Sequence, residues 1–465
     1  MPAIDQSNQQ EKEAMLPVEL GDGLLLRWAT AFDIEALGTF NVRIHTDNPD
    51  EPEAWLAEWT RDLMNGNHPT TDASDFTVVV DRRAGNRIVS SLNLISQSWT
   101  YDGVPFGVGR VELVGTDPAY RRRGLIRRQM EAVHSKSAKR GELVQAITGI
   151  PWYYRLFGYE MALNLGGGRE FFWVRPGNDK AQEEGHRIRP GNEKAQEKSY
   201  RMRPAIVSDI PILEELYTAH CADSLVVHLQ NKQIWQYGML TAQRETPAAR
   251  NISIIENSDG RVIAYADFNA RGSAFRVREL GVRGGHSWRA VCLFVARELK
   301  NRADKLNQER AKPITHIRFD LGETHPVYDA LGGQLEKGQK PYAWYIRISD
   351  LLQFMQLITP VLQRRLAGCV MARHSGTLRL NFYRSNLRLV FEQGKLIDIG
   401  AYEPKHVEDA DVLFPDLTFL QLLFGYRSFE ELDYAFADCF ALNAEAAVLI
   451  KLLFPRRPSD INPLQ

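Results

Sequence analysis

A weak internal repeat limits what this chain can fold into. The segment Arg27–Ile34 recurs as Arg203–Ile210, 176 positions later. At the other end of the same span, Tyr154–Gly158 recurs as Tyr328–Gly332, 174 positions later. Nearly equal offsets at both ends indicate two copies of one fold rather than two chance matches. We therefore expect two related domains in tandem, followed by a further stretch of chain.

A polar linker is predicted between the two copies. Residues 175–188 are followed at once by a near-copy, residues 189–202, in which nine of the fourteen positions are identical. A duplication this polar has no apolar face to bury, so it predicts an exposed connection. The predicted segments are an N-terminal tail at 1–22, the first copy at 23–174, the linker at 175–200, the second copy at 201–347 and a third domain at 348–465.

Composition predicts ordinary packed domains. Of the 465 residues, 44% are hydrophobic and 25% are charged, and the net charge is −1. No apolar run approaches the ~18 residues that a membrane helix needs, and no global basic field indicates nucleic-acid binding. The polar start from Met1 to Glu13 does not resemble a secretory signal. We therefore expect a cytoplasmic protein with no membrane and no nucleic acid as partner.

Four widely spaced cysteines predict neither a metal site nor a disulfide framework. They are Cys221, Cys292, Cys369 and Cys439. Because their spacing matches no set of metal ligands, we expect no metal and four buried structural thiols. The first copy holds no cysteine, which disfavours a cysteine acyl-enzyme there.

Hydrophobic patterns predict an α+β architecture. In the first copy, strands are predicted at 24–28, 76–81, 88–95, 106–115 and 143–148, with helices from residue 32 and at 124–139. This order predicts one mixed sheet flanked by helices. The third domain is predicted to hold a helix at 351–366 kinked at Pro360, a curved antiparallel sheet over 378–399, and helices at 416–424, from 428 and at 441–454.

The most informative motif is a strand that leads into a turn of three arginines and a glycine. The strand ends at Leu113–Thr116, and Arg121–Gly124 opens the next helix. Free backbone N–H groups and the helix dipole make such a start an anion site, and a glycine lets a phosphate approach closely. The arginines add charge-assisted hydrogen bonds. A pyrophosphate fits these features, and a solvated basic turn or an RNA contact are the alternatives.

A second motif, Tyr154–Tyr159, follows the next buried strand. Together the two motifs resemble the GNAT acetyltransferase superfamily. The doubled domain, the arginine turn and the last third of the chain resemble the Eis (enhanced intracellular survival) family in particular. That family has two tandem GNAT domains and a C-terminal domain similar to sterol carrier proteins. The resemblance covers residues 23–465, with specific motifs only at 113–126 and 151–159.

The resemblance implies an acetyl-CoA site in the first copy. The strand backbone that would hold the pantetheine and the acetyl carbonyl is Leu113, Val114, Gly115 and Thr116. The helix start that would bind the pyrophosphate is Arg121, Arg122, Arg123, Gly124, Leu125 and Ile126. The second copy continues its strand into Val282–His286 without an Arg-x-x-Gly helix start. We therefore expect it to bind no acetyl-CoA and to form one wall of the acceptor cleft.

Amine acetylation needs an acid for the departing sulfur and a base for the amine proton. By resemblance, Tyr154 is the acid, and the alternative is a buried aromatic satisfied by one hydrogen bond. The resemblance also implies that the base is the α-carboxylate of the last residue, Gln465, although this chain lacks the family's usual aromatic ending. Glu112 is the rival base, and its alternative is a glutamate on the solvent face of the sheet.

The predicted function is an N-acetyltransferase that moves an acetyl group from acetyl-CoA to an amine by direct attack in a ternary complex. The resemblance implies a small-molecule or peptide acceptor, an aminoglycoside-like or lysine-type cation, which the acidic segment Asp47–Glu53 would attract. It also implies a homo-oligomer, a hexamer. The alternative is a sterol- or lipid-binding protein that keeps the folds as scaffold. The intact Arg121–Gly124 turn together with Tyr154 favours the enzyme.

Overall fold

The structure is a computed structural model that describes residues 16–173, 200–243 and 246–461. Up to residue 173 the strands are β1 (Val18–Gly21), β2 (Leu24–Trp28), β3 (Phe76–Asp81), β4 (Arg87–Tyr101), β5 (Val104–Thr116), β6 (Val144–Ile147), β7 (Glu160–Leu165) and β8 (Arg169–Phe172). The helices of this part are α1 (Ile34–His45), α2 (Trp55–Met64) and α3 (Leu125–Lys139).

The middle of the chain contributes strands and helices in alternation. Its strands are β9 (Arg201–Pro204), β10 (Val226–His228), β11 (Ile252–Glu256), β12 (Val262–Arg271), β13 (Ala274–Val282), β14 (His316–Phe319) and β15 (Tyr342–Ile348). Its helices are α4 (Ile210–His220), α5 (Lys232–Gln236), α6 (Trp288–Leu306) and α7 (Pro326–Leu331).

The last part of the chain begins with the helices α8 and α9. All the helices of this part are α8 (Leu351–Leu357), α9 (Thr359–Ala367), α10 (Thr418–Leu423), α11 (Phe429–Ala435) and α12 (Ala444–Leu453). The strands are β16 (Gly376–Asn381), β17 (Asn386–Glu392), β18 (Lys395–Ala401), β19 (Val412–Leu413) and β20 (Phe440–Ala441). The predicted kink at Pro360 is a break between α8 and α9, because the proline lies in the first turn of α9, where its missing N–H is tolerated.

The predicted strands of the first copy are confirmed, with shifts of one or two residues at some ends and one larger difference in length. β2 and β3 have the predicted bounds, and every residue of β3 is buried. β4 runs six residues past the predicted end at Ile95, to Tyr101. It does so because β4 and β5 form one long hairpin, whose turn at Asp102 and Gly103 takes positive φ angles of 49° and 89°.

The repeated Arg and Asp residues make the same local structure in both copies. Arg27 binds both carboxylate oxygens of Asp33, at 2.8 and 2.7 Å, and Arg203 binds those of Asp209 at 2.8 and 3.0 Å. In each copy the aspartate also accepts a backbone N–H and lies at the start of a helix, α1 or α4. The repeat therefore records a strand clamped to the following helix by a bidentate ion pair.

The described chain packs as two compact units. One contains the residues up to 163, residues 224–229 and the chain from 343 onward, and the other contains residues 164–223 and 230–342. The larger unit holds a nine-stranded sheet in the order β1-β2-β3-β4-β5-β6-β15-β7, with β10 paired to β4. Apolar side chains of α1 and α2 pack on one face of this sheet, and those of α3 pack on the other.

Two further sheets complete the fold. In the larger unit, the last part of the chain forms a five-stranded sheet in the order β18-β17-β16-β19-β20. The smaller unit has a six-stranded sheet in the order β8-β14-β13-β12-β11-β9, and the buried face of α6 packs on it. Mixed sheets flanked by helices confirm the predicted α+β class.

Candidate active site

A β-bulge lies on β5 of the nine-stranded sheet. Asn93 of β4 lies opposite Glu112, whereas Ser91 lies opposite Gly115, so β5 holds one extra residue. Leu113, inside this bulge, takes a left-handed φ of 52°. An extra residue is left out of the ladder, and its backbone groups turn away from the neighbouring strand. The strand segment that is predicted to hold the cofactor therefore contains a bulge, and at the bulge its backbone groups do not point to the neighbouring strand.

The same strand runs past its other neighbour. β5 pairs in parallel with β6 only from Val108 to Val111, opposite Val144 to Ile147. β5 itself continues to Thr116. The predicted cofactor strand, Leu113–Thr116, thus extends beyond the described pairing with β6, and this places its backbone groups at the edge of the sheet where an extended ligand can bind.

The start of α3 is open to an anion. Gly124 is the N-cap residue and has a φ of 74°. Because glycine has no side chain, no side-chain hydrogen bond caps the helix at this position. Arg122 also has a positive φ, 63°. An ideal Cβ at Gly124 has no atom of the described residues within 4 Å, so the space in front of the helix start is free. The first N–H groups of a helix have no intrahelical acceptor, which leaves them for a bound phosphate.

The three arginines differ in their contacts. The Arg121 guanidinium lies 3.4 Å from the Thr116 carbonyl, and Arg123 makes a 2.6 Å ion pair with Asp22. Arg122 is exposed. Surface ion pairs of this kind contribute ~1 kcal/mol at most, so the pair with Asp22 is readily exchanged for a phosphate.

Tyr154 lies in a short helical turn, Tyr153–Phe157, and is buried. The rings of Tyr153, Tyr159 and Tyr345 surround it at centroid distances of 5.3, 6.3 and 5.7 Å. Burial, and then the negative charge of Glu112, raise the pKa of its hydroxyl well above the usual range. Tyr154 is therefore protonated at physiological pH.

The Tyr154 hydroxyl is free to serve a ligand. It lies 3.7 Å from an ideal Cβ on Gly149, and no group within the described ranges hydrogen-bonds to it. The alternative of a buried aromatic satisfied by one hydrogen bond thus lacks its partner in this part of the chain. The two sequence motifs also meet in space, because the Arg127 guanidinium lies over the Phe157 ring at 5.3 Å.

Glu112 is held by a buried arginine. Nε and a terminal nitrogen of Arg110 lie 3.0 and 2.7 Å from one Glu112 oxygen. Arg110 is 1% exposed, and its guanidinium lies 5.5 Å from the Trp344 ring centre. Glu112 is itself half-buried, with 15% of its side chain exposed. Glu112 compensates a buried charge, which is costly to leave unpaired.

Polar groups that the sequence did not single out gather at the bulge. The side-chain amide of the fully buried Asn93 has no hydrogen-bond partner among the described residues, and neither does Nε2 of His45. Burial lowers the pKa of His45, and the opposing effect of the Leu113 backbone is smaller. Burial and the charge of Arg110 lower the pKa of His68 to about 4. Both histidines are neutral at pH 7.

The remaining site predictions divide by position. Leu113–Thr116, Arg121–Ile126 and Tyr154 lie together in the larger unit. Gln465 and nearly all of the predicted linker lie outside the described residues. Asn93, His45 and Tyr345 were missed, because single polar or aromatic residues on predicted strands and helices carry no local signal of a site. Only their pairing with the bulge and with β6 reveals them.

A family model matches the part of the chain that contains most of these residues. Residues 48–162 match the sequence model of the family described as acetyltransferase (GNAT) domain. The chain therefore carries a GNAT acetyltransferase domain, and the matched segment includes the bulge, the start of α3 and Tyr154. No curated protein matches the sequence.

Several solved structures share the fold over nearly the whole chain. A probable N-acyltransferase from Enterococcus faecalis has a TM-score of 0.63 at 14% identity, covering 94% of this chain and 97% of its own. A GCN5-related N-acetyltransferase from Anabaena variabilis has a TM-score of 0.61 at 13% identity, covering 94% and 98%. The Eis1 protein of Mycobacterium abscessus has a TM-score of 0.57 at 13% identity, with the same coverage. At these identities the likeness shows the fold alone.

Three of the four cysteines are buried as predicted, and the fourth is not. Cys221, Cys292 and Cys439 are buried free thiols, as expected. Cys369 is only half-buried, because it follows the end of α9, where its Sγ lies 3.1 Å from the Leu366 carbonyl. No cluster of metal-ligating side chains occurs within the described ranges, and no helix there is long and apolar enough to cross a membrane.

Proposed function

We propose that this protein is an acetyl-CoA-dependent N-acetyltransferase that works by direct attack of an amine in a ternary complex. One observation carries the proposal: the bulged strand, the open helix start and the protonated, unpartnered hydroxyl of Tyr154 occur in one compact unit. The open helix start and the arginines fit a pyrophosphate, and the bulge at Leu113 fits an acyl carbonyl that accepts backbone N–H groups.

Tyr154 acts as the general acid in this proposal. As the amine nitrogen forms its bond to the acetyl carbon, the carbon–sulfur bond breaks, and the Tyr154 proton passes to the sulfur. Burial raises the pKa of this hydroxyl, so it holds its proton at neutral pH. No cysteine lies in residues 23–174, so no cysteine acyl-enzyme is invoked.

Two groups are proposed as alternative bases. The first is the α-carboxylate of Gln465, as the Eis resemblance implies. The last described residues support it through their direction: Asp460 bridges Val227 in parallel, and β10 is antiparallel to β4. The chain at Asp460 is thus parallel to β10 and antiparallel to β4. Its direction is the one that goes along β4 from Trp99 toward Asn93. The second is Glu112, whose carboxylate lies at the bulge.

The acceptor is proposed to be a cationic amine. The segment Asp47–Glu53 joins α1 to α2, and its acidic side chains are mostly exposed. Exposed carboxylates attract cations at long range and raise the rate of encounter. We propose aminoglycoside-like or lysine-type amines on this ground and on the family resemblance.

The function is tested by following thiol release from acetyl-CoA with polyamines, aminoglycosides and lysine peptides as acceptors. Calorimetric titration of acetyl-CoA in the absence of acceptor gives the affinity and the number of sites. We expect binding with one site per chain and turnover with at least one class of amine. Absence of acetyl-CoA binding would remove the proposal.

A further inference from the structure

β15 lies inside the first-copy sheet, although it follows the second copy in sequence. It pairs antiparallel with β6, and Tyr345 lies opposite Ile147. In the sheet order it separates β6 from β7. Residues 342–347 belong to the second copy by their place in the sequence, so this strand brings a distant part of the chain next to the turn that carries Tyr154.

Tyr345 has two contacts with that turn. Its ring is fully buried and meets the Tyr154 ring edge to face at 5.7 Å. Its hydroxyl accepts a hydrogen bond from the backbone N–H of Trp152. Tyr345 therefore contacts the residues on both sides of Tyr153, namely Trp152 and Tyr154.

Trp152 needs such a restraint. Its φ is 67°, a left-handed conformation that costs ~1–2 kcal/mol for a bulky L-residue. Its side chain is 66% exposed, so burial of the indole contributes little to holding the backbone. A strained conformation persists only where the surroundings determine it, and the Tyr345 hydroxyl is the contact that fixes this backbone N–H.

We propose that Tyr345 is a positioning residue for the acetyl-transfer step. It fixes the strained backbone at Trp152, and thereby the placement of the Tyr154 hydroxyl two residues later. This inference rests on the proposed function, because it assigns to Tyr345 an effect on the step that Tyr154 performs. It also means that the site of the first copy is complete only with β15 in place.

The test is Tyr345→Phe, which keeps the ring and removes only the hydroxyl. Displacement of a proton donor by a fraction of an ångström predicts that kcat falls about 10-fold. The Kd for acetyl-CoA should change little, because the substitution removes no atom of Leu113–Thr116 or of the start of α3. The matched control is Tyr159→Phe, which also removes a buried hydroxyl, here bonded to His134 at 2.8 Å. It should cost similar thermal stability with a smaller loss of kcat.

Hydrogen exchange measured by mass spectrometry gives a readout independent of turnover. Exchange at Trp152 should be faster in Tyr345→Phe and unchanged in Tyr159→Phe. Equal kcat in the two variants, or unchanged exchange at Trp152, would overturn the inference. If the wild-type protein transfers no acetyl group, the proposed function fails, and the exchange result alone then decides whether Tyr345 holds the turn.

Discussion

The nine-stranded and the six-stranded sheet each carry a β-bulge on the strand that precedes a long helix, on β5 before α3 and on β13 before α6. The side chains around these two bulges differ in their partners. On β13 the bulge holds Arg278, between Val277 and Glu279, which lie opposite Phe268 and Asp267. A terminal nitrogen of Arg278 binds both oxygens of Asp267, at 3.1 and 3.0 Å. The β5 bulge instead has an apolar residue, Leu113, in left-handed conformation.

The charged side chains at the β13 bulge pair with one another, although Nε of Arg278 has no hydrogen-bond partner among the described residues. The buried Arg250 binds Asp267 at 3.3 Å, forms an ion pair with Glu279, and lies over the Trp235 ring at 4.0 Å. At the β5 bulge, by contrast, both atoms of the Asn93 amide lack a partner among the described residues. Buried polar groups are normally satisfied, so an unpartnered amide beside a bulge is typical of a site that is completed by a ligand.

The helix starts that follow differ in the same sense. Gly124 leaves the N-terminus of α3 without a side-chain cap, whereas the Ser287 hydroxyl accepts the N–H of Ala290 and caps α6. On β13 the Leu280 carbonyl is also occupied. His325 donates to it from Nε2 at 3.0 Å, since its Nδ1 accepts the N–H of Val327. In the second copy a serine therefore caps the helix start and a histidine occupies a strand carbonyl, whereas the start of α3 has no side-chain cap.

The largest effect is expected at Gly124. Gly124→Val forces a β-branched side chain into a left-handed conformation and into the space before the helix start. We expect the Kd for acetyl-CoA to rise more than ~100-fold, because the phosphate loses its approach to the backbone. Calorimetric titration measures this directly.

Gly285→Val is the matched control in the second copy. Gly285 has a φ of 83°, precedes α6 and has no described atom within 4 Å of an ideal Cβ. The backbone strain is therefore comparable, and the affinity for acetyl-CoA should not change. Retained affinity in Gly124→Val, or equal loss in both variants, would mean that the pyrophosphate lies elsewhere.

The two matching tyrosines provide the next contrast. Tyr154→Phe should lower kcat ~100-fold with little change in acetyl-CoA affinity, because it removes a positioned proton donor. Tyr328→Phe should leave turnover intact and lower stability by ~1 kcal/mol, because the Tyr328 hydroxyl is already bonded to the carbonyls of Phe319 and Gly322, at 3.2 and 3.0 Å. Stopped-flow or steady-state thiol release and thermal unfolding measure the two effects.

A pH profile checks the same assignment. The pKa of Tyr154 is raised in the folded protein, so the acid stays protonated below its ordinary value of ~10. We therefore expect no loss of kcat between pH 8 and 10 from titration of the acid. A loss there that disappears in Tyr154→Phe would contradict the raised pKa.

Two changes to the chain separate the two proposed bases. Deleting Asn462–Gln465, or appending a short tag after Gln465, should lower transfer ~10-fold or more, with acetyl-CoA affinity unchanged. Glu112→Gln should be milder in turnover but should cost ~3 kcal/mol of stability, because it leaves the buried Arg110 without its counter-charge. Thiol release and denaturant unfolding report the two quantities.

Asp267→Asn is the control for that stability loss, since it opens the ion-pair network of the second copy. It should destabilise the protein without changing turnover. If the tagged protein works normally and Glu112→Gln is inactive at temperatures where it is folded, then Glu112 is the base and the terminal carboxylate has no role.

Local sequence patterns predicted much of this architecture. The β-branched residues of β3 favour a strand through their own conformational preference. The glycine at 124 likewise marks the start of α3, because it adopts a positive φ without strain. The motif that is predicted to bind a pyrophosphate and the segment around Tyr154 could be singled out for the same reason, since each is one continuous stretch of chain.

Contacts between distant segments could not be predicted in this way. Nothing in Tyr342–Ile348 indicates that it pairs with β6, because strand partners are chosen by the whole sheet. The burial of Arg110 under Trp344 depends on that same pairing. The extra residue that makes the β5 bulge is likewise visible only from the register of both strands.

The smallest effect is expected from Ser287→Ala. This substitution tests which feature of the second copy would prevent it from binding acetyl-CoA. The substitution removes the hydroxyl that accepts the Ala290 N–H, and loss of such a cap costs ~1 kcal/mol. It opens the start of α6 to an anion, yet the Leu280 carbonyl stays bonded to His325 and the Arg278 network remains. Because an open helix start alone does not supply the strand contacts, we expect calorimetry to find still one acetyl-CoA site per chain, with a small decrease in thermal stability. A second site in Ser287→Ala would mean that the serine cap alone distinguishes the two copies, and that the charged bulge of β13 tolerates the ligand.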